Sequence, residues 1–226
     1  MKFDGVDEYL SGGQFTYTAN QTGSCLGICV FGINTTSSTT NRVIWKIGNG
    51  DNGFSIVLTG SRVAINFYAT SSGVQSNATM LANVSNGQQY MSEFFFDGGS
   101  TNKRVGMALY GTGSLITSSY FSSTEFTSGK MLLDVATGNV YSANSIGAAY
   151  GDYRNDNTKI LFDVDLGGSY GHFFDGTWAL SVFLPGTTSS LSNPRFNKRQ
   201  TEMYKWARYK YFSSSSFVTR SISADN

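Results

Sequence analysis

Charge is scarce in this chain of 226 residues, where Asp, Glu, Lys and Arg together make up 14%. Sixteen basic residues against fifteen acidic ones leave a formal net charge of +1, so the surface as a whole is not built to attract nucleic acid or another polyanion. Histidine is reduced to His172, and the glutamates to Glu8, Glu93, Glu125 and Glu202, no two of them close in sequence. With a lone histidine and no Gly-x-Ser-x-Gly turn, acyl-transfer chemistry has nothing to work with. The two cysteines are expected to be free thiols. In an extended segment Cys25 and Cys29 stand roughly 13 Å apart, beyond disulfide reach, and no second Cys or His pair accompanies them to make a metal site. No apolar run approaches the roughly 20 residues that cross a bilayer. The start, Met1 to Leu10, carries acids where a secretory leader carries bases, so the chain is expected to be soluble and made without a signal. Sequons at Asn20, Asn34, Asn77 and Asn83 would accept glycans only in a secretory pathway; a sequence this rich in Asn, Ser and Thr produces them by chance.

Glycine, aromatics and small polar residues are plentiful instead. Twenty-six glycines, 15% aromatic residues and long Ser/Thr/Asn stretches describe many short strands joined by turns. Length and a 40% hydrophobic content suffice for one domain with a real core. Period-two alternation marks the strands. It is found in Val43, Trp45 and Ile47, alternating with Ile44 and Lys46, and in the hairpin of "FSIVL" and "VAINFY" about Thr59-Gly60-Ser61. A second hairpin joins "QYMSEFFF" and "RVGMALY" through Asp97-Gly98-Gly99; "KMLLDV", "KILFDVDL" and "TWALSVFL" supply three more strands, the last with Trp178, Leu180, Val182 and Leu184 on one side. The segment "SCLGICVFGI" is apolar on both faces, Leu26, Ile28 and Val30 on one and Cys25, Cys29, Phe31 and Ile33 on the other, which places it inside a sandwich or under a second layer. About ten strands emerge, with no helix long enough for a parallel crossover. The fold class predicted is all-β, an antiparallel two-sheet jelly-roll sandwich over residues 1–212 with a short C-terminal helix.

That helix is expected to begin at Pro194, capped by Asn193, and to lie across an edge or mouth of the sandwich with Phe196, Met203, Trp206 and Ala207 on its packed face. Seven of the 16 basic residues fall in the last 32 positions, with only Glu202 and Asp225 as acids. A solvated basic face is the plain reading; an assembly interface through Arg208, Lys210, Phe217 and Arg220 is the functional one. Residues 213–226 form a tail with too few apolar residues to pack on its own account, and a neighbouring subunit is the simplest thing to order it.

Three stretches, in order along the chain, resemble concanavalin A-like, laminin G-type jelly rolls. "MKFDGVDEYL" is similar to their opening strand, "GQQYMSEFFFDGGSTNKRVGMALYGTG" to their central hairpin, and "FFDGTWALSVFLPGTTSSLSNPRFNKRQTEMY" to their last strand, loop and helical turn. The segment from Ser114 to Gly171 departs from that pattern, being long and irregular. The resemblance implies that Asp175-Gly176 makes a tight turn feeding a core strand, with Phe173 and Trp178 packed rather than offered to a ligand. It also raises calcium, which such modules often hold on loop oxygens; Asp152, Asn155 and Asp156 in "GDYRNDN" are hard ligands in a turn-rich segment, and a plain polar turn is the alternative. Lectin-like jelly rolls also occur among bacteriophage head-decoration and tail components.

Candidate functions follow. Exposed tyrosines beside amides make a sugar platform, and Tyr141, Tyr150, Tyr153 and Tyr170 with Asn155 provide the set; tyrosine is equally at home at protein interfaces. Hydrolysis of a glycoside needs two carboxyls about 5 to 9.5 Å apart. The best pair is Asp163 and Asp165, about 6.6 Å apart by strand rise, which read first as two solvent-facing aspartates. The leading expectation is a non-enzymatic virion structural protein, a bacteriophage capsid decoration or tail-associated component, made in the host cytoplasm and meeting other virion proteins or copies of itself, without nucleic acid or membrane insertion. A carbohydrate-binding adhesion module for cell-surface glycans, extracellular, is the alternative, and the hydrolase a remote one.

Overall fold

A computed structural model describes residues 1–12, 25–36, 41–48, 53–71, 74–97, 103–111, 114–123, 144–146, 149–150, 170–185 and 194–212. Within them lie β1 (Lys2–Asp4), β2 (Leu10–Gly12), β3 (Cys25–Ile33), β4 (Arg42–Gly48), β5 (Gly53–Thr59), β6 (Arg62–Ser71), β7 (Val74–Asn83), β8 (Gln88–Asp97), β9 (Lys103–Gly111) and β10 (Ser114–Ser123). They are followed by β11 (Asn144–Ile146), β12 (Ala149–Tyr150), β13 (Tyr170–Gly171), β14 (Asp175–Pro185) and the helix α1 (Pro194–Tyr211). Sheet A runs β1-β14-β3-β8-β9-β10, sheet B runs β2-β11-β4-β5-β6-β7, and β12 pairs with β13 as a separate ribbon. Every pairing is antiparallel. The result is the expected all-β, antiparallel two-sheet jelly-roll sandwich with its C-terminal helix.

Alternation explains how the sheets close on each other. Phe31, Phe94, Phe96, Met107 and Leu109 of sheet A meet Trp45, Phe54, Ile56, Ile65 and Phe67 of sheet B in one buried cluster. Rings from the facing sheets stack across it, Phe54 on Phe94 with centroids 3.6 Å apart and Phe67 on Phe96 at 5.0 Å. Full burial of each such ring contributes about 1.5–3 kcal/mol. Two of the aromatics lie over glycines of a neighbouring strand. Gly27 is paired with Phe94 and Gly106 with Phe95, and a Cβ on either glycine would collide with the ring. The missing side chains are the space that the phenylalanines fill.

The second face of β3 is apolar because it too is covered. Leu26, Ile28 and Val30 join Met91, Phe95, Ala108 and Tyr110 in a second cluster, closed by Tyr204, Ala207 and Phe212. Thus α1 lies on the outer face of sheet A, not across an edge or mouth. An apolar sheet face demands a broad cover, which an edge position would not give. Tyr204, Ala207 and Arg208 of α1 are buried and Met203 packs on the same cluster, as expected, whereas Trp206 is turned outward, contrary to the expected face; the side chain of Phe196 lies outside the described set. Sheet B differs on its outer face. Lys46, Ser55, Asn66 and Thr79 stand opposite one another from β4 to β7, on the side away from Ile47, Phe54, Phe67 and Ala78 of the core.

Bulges account for two misread strands. In β14 the register with β3 shifts between Trp178 and Leu180, so Trp178 and Phe183 pack on the central core while Ala179 and Leu180 pack under α1. A bulge resets the period-two count, and the side shared by Trp178 and Leu180 in a regular strand is lost. The register of β4 shifts between Val43 and Trp45, bringing Ile44, Trp45 and Ile47 into one core. The predicted strands at 130–135 and 159–166, and the tail 213–226, lie outside the described residues.

Candidate functional site

Two of the four nominated tyrosines come together. The register of the ribbon sets Tyr150 opposite Tyr170, and directly opposed positions of an antiparallel pair share one ribbon face. Both ends of this ribbon are rooted on β4. On one side β11, which ends three residues before β12 begins, pairs Ser145 with Lys46 and Ile146 with Trp45. On the other, His172 follows β13 directly; its carbonyl accepts the Val43 N–H at 2.9 Å, and its Nδ1 lies 2.7 Å from the Asn41 carbonyl oxygen. His172 holds a φ of 56°, in the left-handed region, where a non-glycine residue is uncommon. The chain bends at His172.

The expected turn at Asp175-Gly176 is instead the start of β14. Gly176 is paired with Phe3 on one side and Ile33 on the other, and the place of its missing Cβ is occupied by the Gly32 carbonyl and the Phe174 ring. Glycine is used here for close approach rather than for a turn. Phe174 is fully buried; Phe173 and Trp178 are partly buried, Phe173 beside the Tyr9 ring at 6.3 Å.

Asp175 instead anchors a polar group at the root of the ribbon. Its Oδ1 accepts a hydrogen bond from Asn34 Nδ2 at 2.9 Å, and its Oδ2 lies 3.7 Å from Arg42 Nη1. Both partners of that ion pair are about one-fifth exposed, Arg42 at 19% and Asp175 at 22%, so its contribution to stability is small, about 0.2–1 kcal/mol. Its value lies in grouping a cation, a carboxylate and an amide, with the His172 imidazole held on the Asn41 carbonyl next to Arg42 in sequence. Such a set can donate and accept hydrogen bonds to hydroxyl groups. Arg42 and Asn34 carry no sequence signal, because the group is assembled from segments more than a hundred residues apart.

Tyr141, Tyr153 and Asn155, the calcium candidates Asp152, Asn155 and Asp156, and the carboxylate pair Asp163 and Asp165 all lie outside the described residues. So do Phe217 and Arg220 of the expected assembly face. Lys210 is exposed, its ammonium 5.0 Å above the Trp206 ring. Arg208 is buried, with Nη1 donating to the Gly111 carbonyl at 3.2 Å and the guanidinium 5.0 Å from the Phe212 ring. Among the described residues no three His, Cys, Asp or Glu side chains are grouped to hold a metal. Cys29 is a buried free thiol. Burial pushes it up to about 12 against the opposing hydrogen bond from Ser181, leaving it protonated and inert.

No protein-family model matches the sequence, and no curated protein is similar to it. Solved structures do align with the fold. The LG1-3 region of the laminin alpha2 chain matches with a TM-score of 0.49 at 15% identity, covering 85% of this chain and 32% of that one. The CBM40 module of a Ruminococcus gnavus IT-sialidase, bound to alpha2,3 sialyllactose, matches at 0.44 and 12%, covering 82% and 91%. The binding domain of botulinum neurotoxin serotype D matches at 0.42 and 11%, covering 89% and 42%. The chain thus spans about a third of the laminin region it resembles.

Proposed function

We propose that this protein is a non-catalytic binding module that recognises carbohydrate through the β12–β13 ribbon. The observation that carries this reading is the register that sets Tyr150 opposite Tyr170 on a ribbon tied to β4 at both roots. Aromatic faces stack on the apolar faces of sugar rings, and a ribbon fixed at its base loses little freedom on binding. Arg42, Asp175, Asn34 and His172 supply the hydrogen-bonding rim. A glycan array followed by calorimetry tests it. Tyr150→Ala and Tyr170→Ala should each weaken binding at least tenfold, about 1.4 kcal/mol, at an unchanged unfolding midpoint. Undiminished binding by the double variant, or no glycan bound at all, overturns the reading.

A second reading places the module on a virus particle, as a bacteriophage head-decoration or tail component. What favours it is the outward face of α1, where Trp206 and Tyr209 are exposed beside Lys210, a docking chemistry that sugar binding does not need. Recovery of the chain in density-purified particles, read by mass spectrometry, checks it.

A further inference from the structure

Two exposed patches of this chain are complementary to each other. On α1, Lys205, Trp206, Tyr209 and Lys210 point away from sheet A, with Glu202 at the N-terminal side of the same stripe. Trp206 is 47% and Tyr209 81% exposed, and Lys210 Nζ lies 5.0 Å from the Trp206 ring centre and 5.5 Å from that of Tyr211. The patch is aromatic and net positive. The bend that follows β1 is its opposite. Asp4, Asp7 and Glu8 are exposed there, Val6 stands 68% exposed and Tyr9 38%. This loop is already ordered: Asp4 Oδ1 accepts the Val6 N–H at 2.9 Å, Glu8 Oε2 accepts the Asp4 N–H at 2.8 Å, and the Tyr9 ring leans on Phe173. A preformed loop binds at low entropic cost.

We infer that copies of this chain associate head to tail, the Trp206–Tyr209–Lys210 face of one seating on the Asp4–Tyr9 loop of the next. The patches occupy different parts of the surface, since α1 lies over the outer face of sheet A and β1 is that sheet's edge strand. An interface between unlike patches is heterologous, so it repeats from copy to copy into a ring or a filament. Tyr and Trp are enriched at the centres of protein interfaces, and opposite charges set the register and speed the encounter. A second copy is the occupant because the same chain carries the matching acids and apolar residues. The inference needs neither a glycan nor a particle and goes beyond both readings of function.

Sedimentation equilibrium of the full chain, at low and high salt, tests it. The wild type should gain mass with concentration, and less so at high salt. Lys205→Glu with Lys210→Glu should be monomeric, as should Val6→Ser with Asp7→Lys; all four positions are exposed, and unchanged melting curves verify that both variants fold. Mixing them is the decisive step. Each retains one sound patch, so the mixture should form one-to-one dimers and nothing larger. A wild type that stays monomeric at millimolar concentration, a variant that still associates on its own, or a mixture that stays monomeric overturns the inference. Glycan binding, measured on the same variants, should be unchanged, which separates this test from that of the ribbon.

Discussion

On the outer face of sheet A, Leu26, Ile28, Val30, Met91 and Phe95 meet the inner side of α1, whereas on the outer face of sheet B Lys46, Ser55, Asn66 and Thr79 stand in line across four strands. Lys46, Ser55 and Asn66 are no more than 3% exposed. Both faces therefore hold buried side chains, one of them hydrocarbon and the other including a row of polar groups. The apolar face is stabilised by area removed from water. The polar face is tolerable only because its groups bond one another: Asn66 Nδ2 donates to Ser55 Oγ at 3.3 Å, and Thr79 Oγ1 donates to Asn66 Oδ1 at 2.9 Å. Lys46 shows the cost, for desolvation lowers its ammonium to about 7. One sandwich thus carries a face that adds stability and a face that spends it.

Substitutions on each side sharpen the contrast. The largest effect belongs to the apolar face: Phe95→Ala, leaving a cavity between sheet A and α1, should cost about 3–5 kcal/mol in urea unfolding. Lys46→Met comes next and is read through pH. Between about 7 and the ordinary 10.5 the unfolded chain binds a proton at this lysine that the folded chain does not, so stability rises with pH across that window, by about 1.4 kcal/mol per pH unit. Below about 7 the penalty is fully present. The wild type should therefore gain on the methionine variant by roughly 2 kcal/mol between pH 7 and 9, with the difference flat from pH 5 to 6; a flat difference throughout would show that the ammonium is not desolvated. Asn66→Ala, which strands the Ser55 and Thr79 hydroxyls, should cost about 1–3 kcal/mol. Smallest is Tyr209→Ala on the outward side of α1, within about 0.5 kcal/mol, because that ring covers nothing in the single chain.

The same contrast explains what could be read in advance. β3 announced a covered sandwich because its two faces are both apolar, and the hairpins β5–β6 and β8–β9 were legible from alternation flanking glycine turns. β7 and β10, "VQSNATMLAN" and "SLITSSYFSS", were not, since their polar residues are too many for composition to distinguish a strand from a loop. The bulges of β4 and β14 add one residue without any side-chain signature. Lys46 alternates with the apolar positions Trp45 and Ile47, and its burial depends on what lies over the sheet, which local pattern does not encode. At the site, tyrosine density nominated Tyr150 and Tyr170, but the group of Arg42, Asn34 and Asp175 is made only by pairing across the whole chain.

The two rings lying over glycines tie distant positions together as descendants of this sequence diverge. At Gly27 and Phe94, and again at Gly106 and Phe95, one partner holds the volume that the other gives up. Any descendant that gains a side chain at the first position must shrink its partner in the same lineage, so these pairs should covary as inverse sizes, a trace by which remote kin could be found where overall identity has faded.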